Sequence, residues 1–120
     1  MSALHDDAEQ GPVPRERVLS RPSAELMTTD QLTPGQKAEN FLFFDGRSGW
    51  GLGFHVITKR ETLAGVPGRF GWNGGTGTSF YVDPAEELIG ILLTQREMTS
   101  PLPPVVFQDF WTCAYQAIDD

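Results

Sequence analysis

The side chains in this chain that could carry out chemistry are few and widely spaced. The histidines are His5 and His55, and neither belongs to a metal-binding motif such as H-E-x-x-H. The single cysteine, Cys113, lies in a predicted helix with no histidine near it in sequence, so a buried structural thiol is the favoured interpretation. We therefore expect no metal site, no cofactor and no cysteine nucleophile.

Adjacent carboxylates could act as a general acid and base, and the chain contains several adjacent pairs. These are Asp6/Asp7, Glu86/Glu87 and Asp119/Asp120. Each pair falls in a predicted turn or tail, where charged side chains are normally solvated. We therefore expect surface charges rather than catalytic groups at these positions.

Glycine-rich turns offer another type of site, because a ligand can approach their backbone N–H groups closely. Gly51-Leu-Gly53 and Gly75-Thr-Gly77 begin like a dinucleotide-binding fingerprint but lack its third glycine. The segment Trp72-Asn73-Gly74-Gly75 joins two predicted strands, and its N–H groups could stabilise a developing oxyanion. The residues alone favour a plain hairpin turn, since Asn-Gly is the strongest short-range hairpin signal.

Composition and charge exclude several classes of function. The 120 residues include 16 Asp and Glu against 9 Lys and Arg, which gives a net charge of -7. Nucleic acid and anionic membranes are therefore not expected partners, because each requires a basic face. No segment has the length of a membrane span, and the N-terminus lacks the basic start and apolar core of a signal peptide. The default expectation is a cytoplasmic location.

Periodicity and turn chemistry predict the elements that position these residues. Residues 1–19 are predicted to be a loop or mobile tail, because they combine acidic residues, Gly and Pro with few apolar anchors. Ser20 and Thr33 are predicted helix N-caps, each followed by proline in the first turn. The 13 glycines and 9 prolines indicate turns and short strands rather than a helical bundle.

Strands follow in the second half of the chain. Alternating patterns predict strands over 50–57 and 76–82, with another short strand over 69–72. Gly51 and Gly53 are predicted close-packing positions within the first of these strands. The continuous apolar run over 88–94 predicts a strand buried on both faces. A spacing near 3.6 from Phe107 to Ile118 predicts a C-terminal amphipathic helix. The predicted fold class is therefore α+β, with an antiparallel β-sheet packed against helices.

Several separated motifs occur in an order that is typical of one known family. They are Leu19 to Asp30, Leu32-Thr-Pro34, Gly49-Trp-Gly-Leu-Gly-Phe54, Gly71-Trp-Asn-Gly-Gly-Thr-Gly-Thr78, Tyr81-Val-Asp-Pro84, Leu88 to Gln95 and Asp109-Phe-Trp111. Together they resemble the C-terminal part of serine β-lactamase-like hydrolases, which include class C β-lactamases, penicillin-binding-protein-like enzymes and related carboxylesterases. The resemblance covers roughly residues 18–120. It implies the C-terminal part of a β-lactamase/transpeptidase-like fold and hydrolysis of an ester or amide through an acyl-enzyme.

The family's active site combines a Ser-x-x-Lys nucleophile, a Tyr-x-Asn or Ser-x-Asn loop and a Lys-Thr-Gly strand. The resemblance matches the third element to Trp72-Asn73-Gly74, with Gly75 as the N–H donor to the oxyanion, although Asn73-Gly74-Gly75 also fits. It thus implies that Trp72, Asn73, Gly74 and Gly75 form a substrate and oxyanion wall. The family's lysine, which would pair with the carboxylate of a β-lactam, is missing here, so β-lactam turnover is not specifically implied.

The first two active-site elements are absent from the sequence. No serine is followed three residues later by lysine, and neither tyrosine begins a Tyr-x-Asn triplet. We therefore expect residues 20–120 to be the C-terminal portion of such a domain, with no catalytic residue of its own and no activity alone. Its expected partner is a small-molecule ester or amide, bound only when the chain is joined to the missing N-terminal part. The alternative is a non-catalytic truncated remnant or a small interaction module.

Overall fold

A computed structural model describes residues 16–119 of the chain. Five antiparallel strands form one sheet in sequential order, with short helices before the sheet and a longer helix after it. The elements are α1 (Arg21–Met27), α2 (Pro34–Glu39), α3 (Phe41–Phe44), β1 (Ser48–Trp50), β2 (His55–Ile57), β3 (Phe70–Gly74), β4 (Thr78–Asp83), β5 (Leu88–Leu93) and α4 (Val105–Gln116). The predicted α+β class is confirmed.

Some of the predictions lie outside the described residues. These are the tail over 1–15, His5, the Asp6/Asp7 pair and Asp120. Residues 16–19 belong to no helix or strand and are exposed. No helix within the described range has the length and apolar character that crossing a membrane requires.

Local capping determines where the first two helices begin. The Ser20 side chain accepts a hydrogen bond from the backbone N–H of Ser23, and Pro22 lies in the first turn of α1. At α2, the Thr33 hydroxyl accepts from the Gln36 N–H while the Gln36 side chain accepts from the Thr33 N–H, at 3.2 and 2.9 Å. These bonds satisfy N–H groups that have no partner inside the helix. Both predicted helix starts are confirmed.

The single strand predicted over 50–57 is wrong. The chain makes a tight turn between β1 and β2, closed by a hydrogen bond from the Gly51 N–H to the Phe54 carbonyl at 2.8 Å. The Leu52 N–H donates to the Met27 carbonyl instead of a neighbouring strand. Gly51 is packed closely, since a Cβ there would lie 2.0 Å from the Met27 oxygen. Gly53 is not closely packed, because open space surrounds the position of a Cβ there. Its φ of +107° is the reason that glycine suits the turn.

The prediction that β5 is buried on both faces is also wrong. β5 is the last strand of the sheet, and Ile89, Ile91 and Leu93 are 47%, 61% and 75% exposed. Helix α4 covers the opposite face only, where the Trp111 ring lies against Gly90. A continuous run of apolar residues shows that both faces of a strand are apolar, but whether each face is buried depends on which elements pack against it. Among the described residues, nothing covers the outward face of β5.

Helix α4 attaches to the sheet through its aromatic side chains. Phe107, Trp111 and Tyr115 recur every four residues and are buried, which confirms the predicted amphipathic helix. Trp111 donates a hydrogen bond from Nε1 to Ser79 Oγ at 2.8 Å, and Tyr115 donates from its hydroxyl to Asp83 Oδ2 at 2.5 Å. Cys113 is exposed, which corrects the predicted buried thiol. It lies two residues beyond Trp111, about 200° around the helix axis, and therefore faces away from the sheet.

We predict that Gly90→Ala destabilises the fold by about 1–3 kcal/mol, because overpacking a filled site displaces its neighbours. The new Cβ would lie 2.4 Å from Cη2 of Trp111. Urea denaturation followed by tryptophan fluorescence measures the change. Gly35→Ala in α2 is the matched control, since its nearest atom would be 4.0 Å away. Equal stability of Gly90→Ala and the unchanged protein would contradict the described packing of α4.

We predict that the 120-residue chain self-associates, because an exposed apolar edge strand is a template for pairing with another chain. Ile91→Lys places a charge on this edge and should increase the monomer fraction in sedimentation velocity. Val105→Lys is the control, because Val105 is 71% exposed and belongs to α4 rather than to the edge strand. A monomeric mass for the unchanged protein, with a sharp cooperative melt, would contradict the prediction.

Candidate substrate-binding site

The four predicted wall residues lie at the hairpin between β3 and β4. Trp72, Asn73 and Gly74 end β3, and Gly75 begins the turn. The Gly77 N–H donates to the Gly74 carbonyl at 3.0 Å, and Gly74 pairs with Thr78 across the hairpin. The predicted hairpin is therefore present, but its turn is formed by residues 75–77, and Asn73 and Gly74 are paired strand residues of β3.

The hairpin forms one side of a cavity of about 530 Å³. Trp72, Asn73 and Gly75 line it, whereas Gly74 does not. Apolar residues from two other segments complete much of the lining: Leu42, Phe43, Met98, Pro101 and Pro103. The cavity therefore combines a largely apolar wall with the backbone of a glycine turn.

Hydrogen bonds hold the hairpin residues in place. Asn73 Oδ1 accepts from Ser79 Oγ at 2.6 Å, and the same Ser79 oxygen accepts from Trp111 Nε1. The Gly75 carbonyl accepts from the Met98 N–H at 2.8 Å. Within residues 16–119, no acceptor pairs with the Gly75 N–H, and no atom lies within 4 Å of the position that a Cβ would take. Gly75 thus offers an N–H donor on an accessible turn.

A histidine–tyrosine pair lies in the same cavity, and the sequence did not point to it. His55 Nδ1 and the Tyr81 hydroxyl are 3.0 Å apart, and both side chains line the cavity. The two residues pair in register with Gly71, which lies between them on β3. A Cβ at Gly71 would lie 2.8 Å from Cγ of Tyr81, so glycine makes room for this contact. The alternation of side chains along β2 and β4, combined with the strand order, is the sequence signal that could have placed His55 and Tyr81 on the same face of the sheet.

Burial keeps this pair uncharged at neutral pH. Burial lowers the pKa of His55, and the positive charge of Arg69 acts in the same direction. Burial also raises the pKa of Tyr81 to about 12. The pair therefore presents neutral hydrogen-bonding groups to the cavity. Within the described part of the chain, no three His, Cys, Asp or Glu side chains come together as a group that could hold a metal.

The sheet and the covering helix define an α+β fold, with the cavity beside the hairpin. The sequence model of the Beta-lactamase family matches residues 16–105. The chain belongs to this family, and the resemblance inferred from the motifs is confirmed.

Two curated relatives come from strains of Mycobacterium tuberculosis. They are Protein Rv1367c and Uncharacterized protein MT1414, each 43% identical to the chain over 94 residues. Each match covers 72% of this chain and 23% of the relative. The chain therefore spans about a quarter of the length of the curated relatives it matches.

We predict that neither tyrosine of the folded chain ionises near pH 10, where an exposed tyrosine titrates. Burial raises the pKa of Tyr81 to about 12. Burial raises the pKa of Tyr115 as well, and its hydrogen bond to Asp83 adds to the shift. Tyrosinate absorbance should therefore stay low until about pH 11, but should develop around pH 10 in urea.

The same shifts predict how stability depends on pH. Above pH 10 the unfolded chain releases the tyrosine protons before the folded chain does, so the free energy of unfolding falls. The loss is about 1.4 kcal/mol per pH unit for each tyrosine that remains protonated in the fold. Tyr115→Phe should remove one of the two contributions. A tyrosinate step near pH 10 in the folded protein would contradict the described burial.

Proposed function

We propose that this chain is the C-terminal segment of a serine hydrolase that cleaves esters or amides through an acyl-enzyme. In this proposal the chain contributes a substrate and oxyanion wall formed by Trp72, Asn73 and Gly75, while Gly74 joins them in the hairpin without lining the cavity. The nucleophile belongs to a part of the enzyme outside this sequence, which has no Ser-x-x-Lys. The observation that carries the proposal is the Gly75 N–H, which has no partner among the described residues and lies on the turn that lines the cavity.

The geometry supports a specific role for Gly75. When a serine attacks an ester or amide carbonyl, negative charge develops on the carbonyl oxygen. A backbone N–H that is already oriented can stabilise this charge without reorganising. The hydrogen bond from Met98 to the Gly75 carbonyl holds the neighbouring peptide group, and Ser79 holds the side chain of Asn73. These contacts keep the turn in one conformation while the charge develops.

The apolar lining supports a role for the cavity in binding the substrate. Trp72 is 40% exposed and its ring packs edge-to-face on Trp50, with centroids 5.1 Å apart. Leu42 and Phe43 approach the same cavity from α3. An apolar acyl or alcohol group of an ester would bury its surface here, while the neutral His55–Tyr81 pair supplies hydrogen bonds.

A second candidate is a non-catalytic remnant or a small interaction module. The exposed outward face of β5 favours it, since Ile91 and Leu93 are 61% and 75% exposed. Under this proposal the apolar edge, rather than the cavity, is the functional surface.

The two candidates differ in their response to the rest of the enzyme. We predict that the chain alone is not labelled by a fluorophosphonate probe and does not hydrolyse a chromogenic ester. Mixing it with the remainder of Protein Rv1367c, expressed as a separate chain without the matched region, should restore both signals. Labelling of the 120-residue chain alone would show that it contains a nucleophile and would overturn the proposal. Formation of a stable but inactive complex would favour the interaction module.

A matched pair of variants tests the oxyanion role in the restored enzyme. Gly75→Pro removes the N–H donor, and we expect the rate to fall by about 100–1000-fold, as for loss of an oxyanion donor. Gly75→Ala retains the donor and places its Cβ in open space, so the rate should stay near that of the unchanged protein. Co-purification of the two chains checks that assembly is unaffected. Equal rates for the two variants would exclude Gly75 as the donor.

A further inference from the structure

The cavity of about 530 Å³ beside the hairpin between β3 and β4 has a negative lining. Among the described residues, Glu97 contributes a carboxylate to the lining, whereas no Lys or Arg contributes to it. His55 also lines the cavity, but it is neutral at pH 7 because burial lowers its pKa. We call this space the hairpin cavity.

Hydrogen bonds hold the segment that carries Glu97 against the hairpin. The Thr94 N–H and hydroxyl both donate to the Gly77 carbonyl, at 3.0 and 2.8 Å. The Met98 N–H donates to the Gly75 carbonyl at 2.8 Å. These bonds lie on either side of Glu97 in the sequence, so they fix its backbone beside the turn although its side chain is exposed. The carboxylate is therefore held at the rim of the cavity that it lines.

The Glu97 carboxylate has no cationic partner within residues 16–119. No Lys or Arg in this range lies within ion-pair distance of it. Arg96, its neighbour in sequence, lines an adjacent cavity but not the hairpin cavity. Arg69 is buried against the Tyr81 ring, 4.0 Å from its centroid, and does not line the hairpin cavity either. A cationic ligand can therefore approach Glu97 without displacing a partner from it.

Aromatic side chains supply the second attraction for a cation. An exposed carboxylate alone contributes little to binding, because water competes for it. Phe43 and Trp72 line the same cavity and are 46% and 40% exposed. The face of an aromatic ring attracts a cation, and tryptophan does so most strongly. Edge-to-face contacts with Trp50 and His55, at centroid distances of 5.1 and 6.1 Å, orient the Trp72 ring before a ligand binds.

The apolar part of the lining determines which kind of cation fits. It consists of Leu42, Met98, Pro101 and Pro103, beside the aromatic rings. A primary ammonium group has three N–H donors, which would lose their water here and require acceptors. A quaternary ammonium group has no N–H donor, and its methyl groups gain from burial against apolar side chains. The lining therefore favours a quaternary ammonium group.

We propose that the hairpin cavity binds a quaternary ammonium group, with Glu97 as its counter-ion and with Trp72 and Phe43 as its aromatic contacts. Binding of this group does not require the missing nucleophile. The substrate class that follows rests on the hydrolase proposal: the preferred ester or amide carries a quaternary ammonium group in its acyl or alcohol part.

Choline and its carbon analogue, in which a tert-butyl group replaces the trimethylammonium group, differ in charge but hardly in shape. We expect calorimetric titration of the full 120-residue chain, at constant ionic strength, to show choline binding about tenfold more tightly than its analogue. Ethanolamine, the primary ammonium counterpart, should bind about tenfold more weakly than choline. The absence of any preference for choline over its carbon analogue would overturn the proposal. Ethanolamine that binds as tightly as choline would also overturn it, because the cavity would then select charge alone.

A variant of the exposed carboxylate keeps the test independent of folding. Glu97→Gln should weaken choline binding about threefold, as for loss of an exposed ion pair, and should leave binding of the carbon analogue unchanged. Glu87→Gln is the matched control, because Glu87 is exposed in the turn at the opposite end of β4 and does not line the cavity. The control changes the net charge of the chain equally. Equal effects of the two variants on choline binding would overturn the assignment to this cavity.

Replacing the aromatic contact provides a second test. Trp72→Leu keeps an apolar side chain but removes the ring, so most of the preference for choline over its carbon analogue should disappear. Trp72→Phe retains an aromatic face and should retain part of the preference. Near-ultraviolet circular dichroism checks that each variant keeps its packing. A folded Trp72→Leu variant with an unchanged preference for choline would overturn the proposal.

The restored two-chain enzyme tests the substrate class. We expect kcat/KM for acetylcholine to be about tenfold higher than for the ester in which a tert-butyl group replaces the trimethylammonium group. Equal values of kcat/KM would overturn the substrate class. Calorimetry measures binding without acyl transfer, so loss of choline binding is distinct from an inactive enzyme, which would contradict the hydrolase proposal.

Discussion

The packing of Trp111 against the sheet is the contact on which the other features depend. Its ring lies against Gly90, its Nε1 bonds to Ser79, and the same ring holds the guanidinium of Arg69. Through Ser79, this contact also reaches Asn73 at the hairpin. One helix residue therefore links the covering helix, the buried cation and the candidate oxyanion turn.

Burial determines which polar groups of the site are neutral. His55 and Tyr81 are neutral because burial penalises the ionised form of each, whereas an arginine keeps its charge even when buried. The cavity beside the hairpin thus combines apolar surface and the neutral His55–Tyr81 pair with the carboxylate of Glu97.

The sheet is covered unequally. On the side of α4, Tyr81 and Trp111 form a buried cluster with Ala64, Val66 and Tyr115. On the opposite side, Val56, Phe70 and Val82 are buried, but the outward residues of β5 are exposed. An antiparallel sheet can leave one face in water, but that face is then normally polar, because exposed apolar surface is costly. This imbalance agrees with the proposal that the chain acts as part of a larger hydrolase.

The sequence by itself determined the helix starts at Ser20 and Thr33, the presence of a hairpin in the glycine-rich segment 72–78, the fold class and the family. The signals for the helix starts and the hairpin are local, because capping and turn chemistry act within about four residues. Only the tertiary structure decided that β1 and β2 are separate strands and that one face of β5 is exposed. It also brought His55 to Tyr81, and Arg69 to Trp111. These pairs are far apart in sequence and meet only because the strand order and α4 place them together, and no local pattern encodes a contact of that kind.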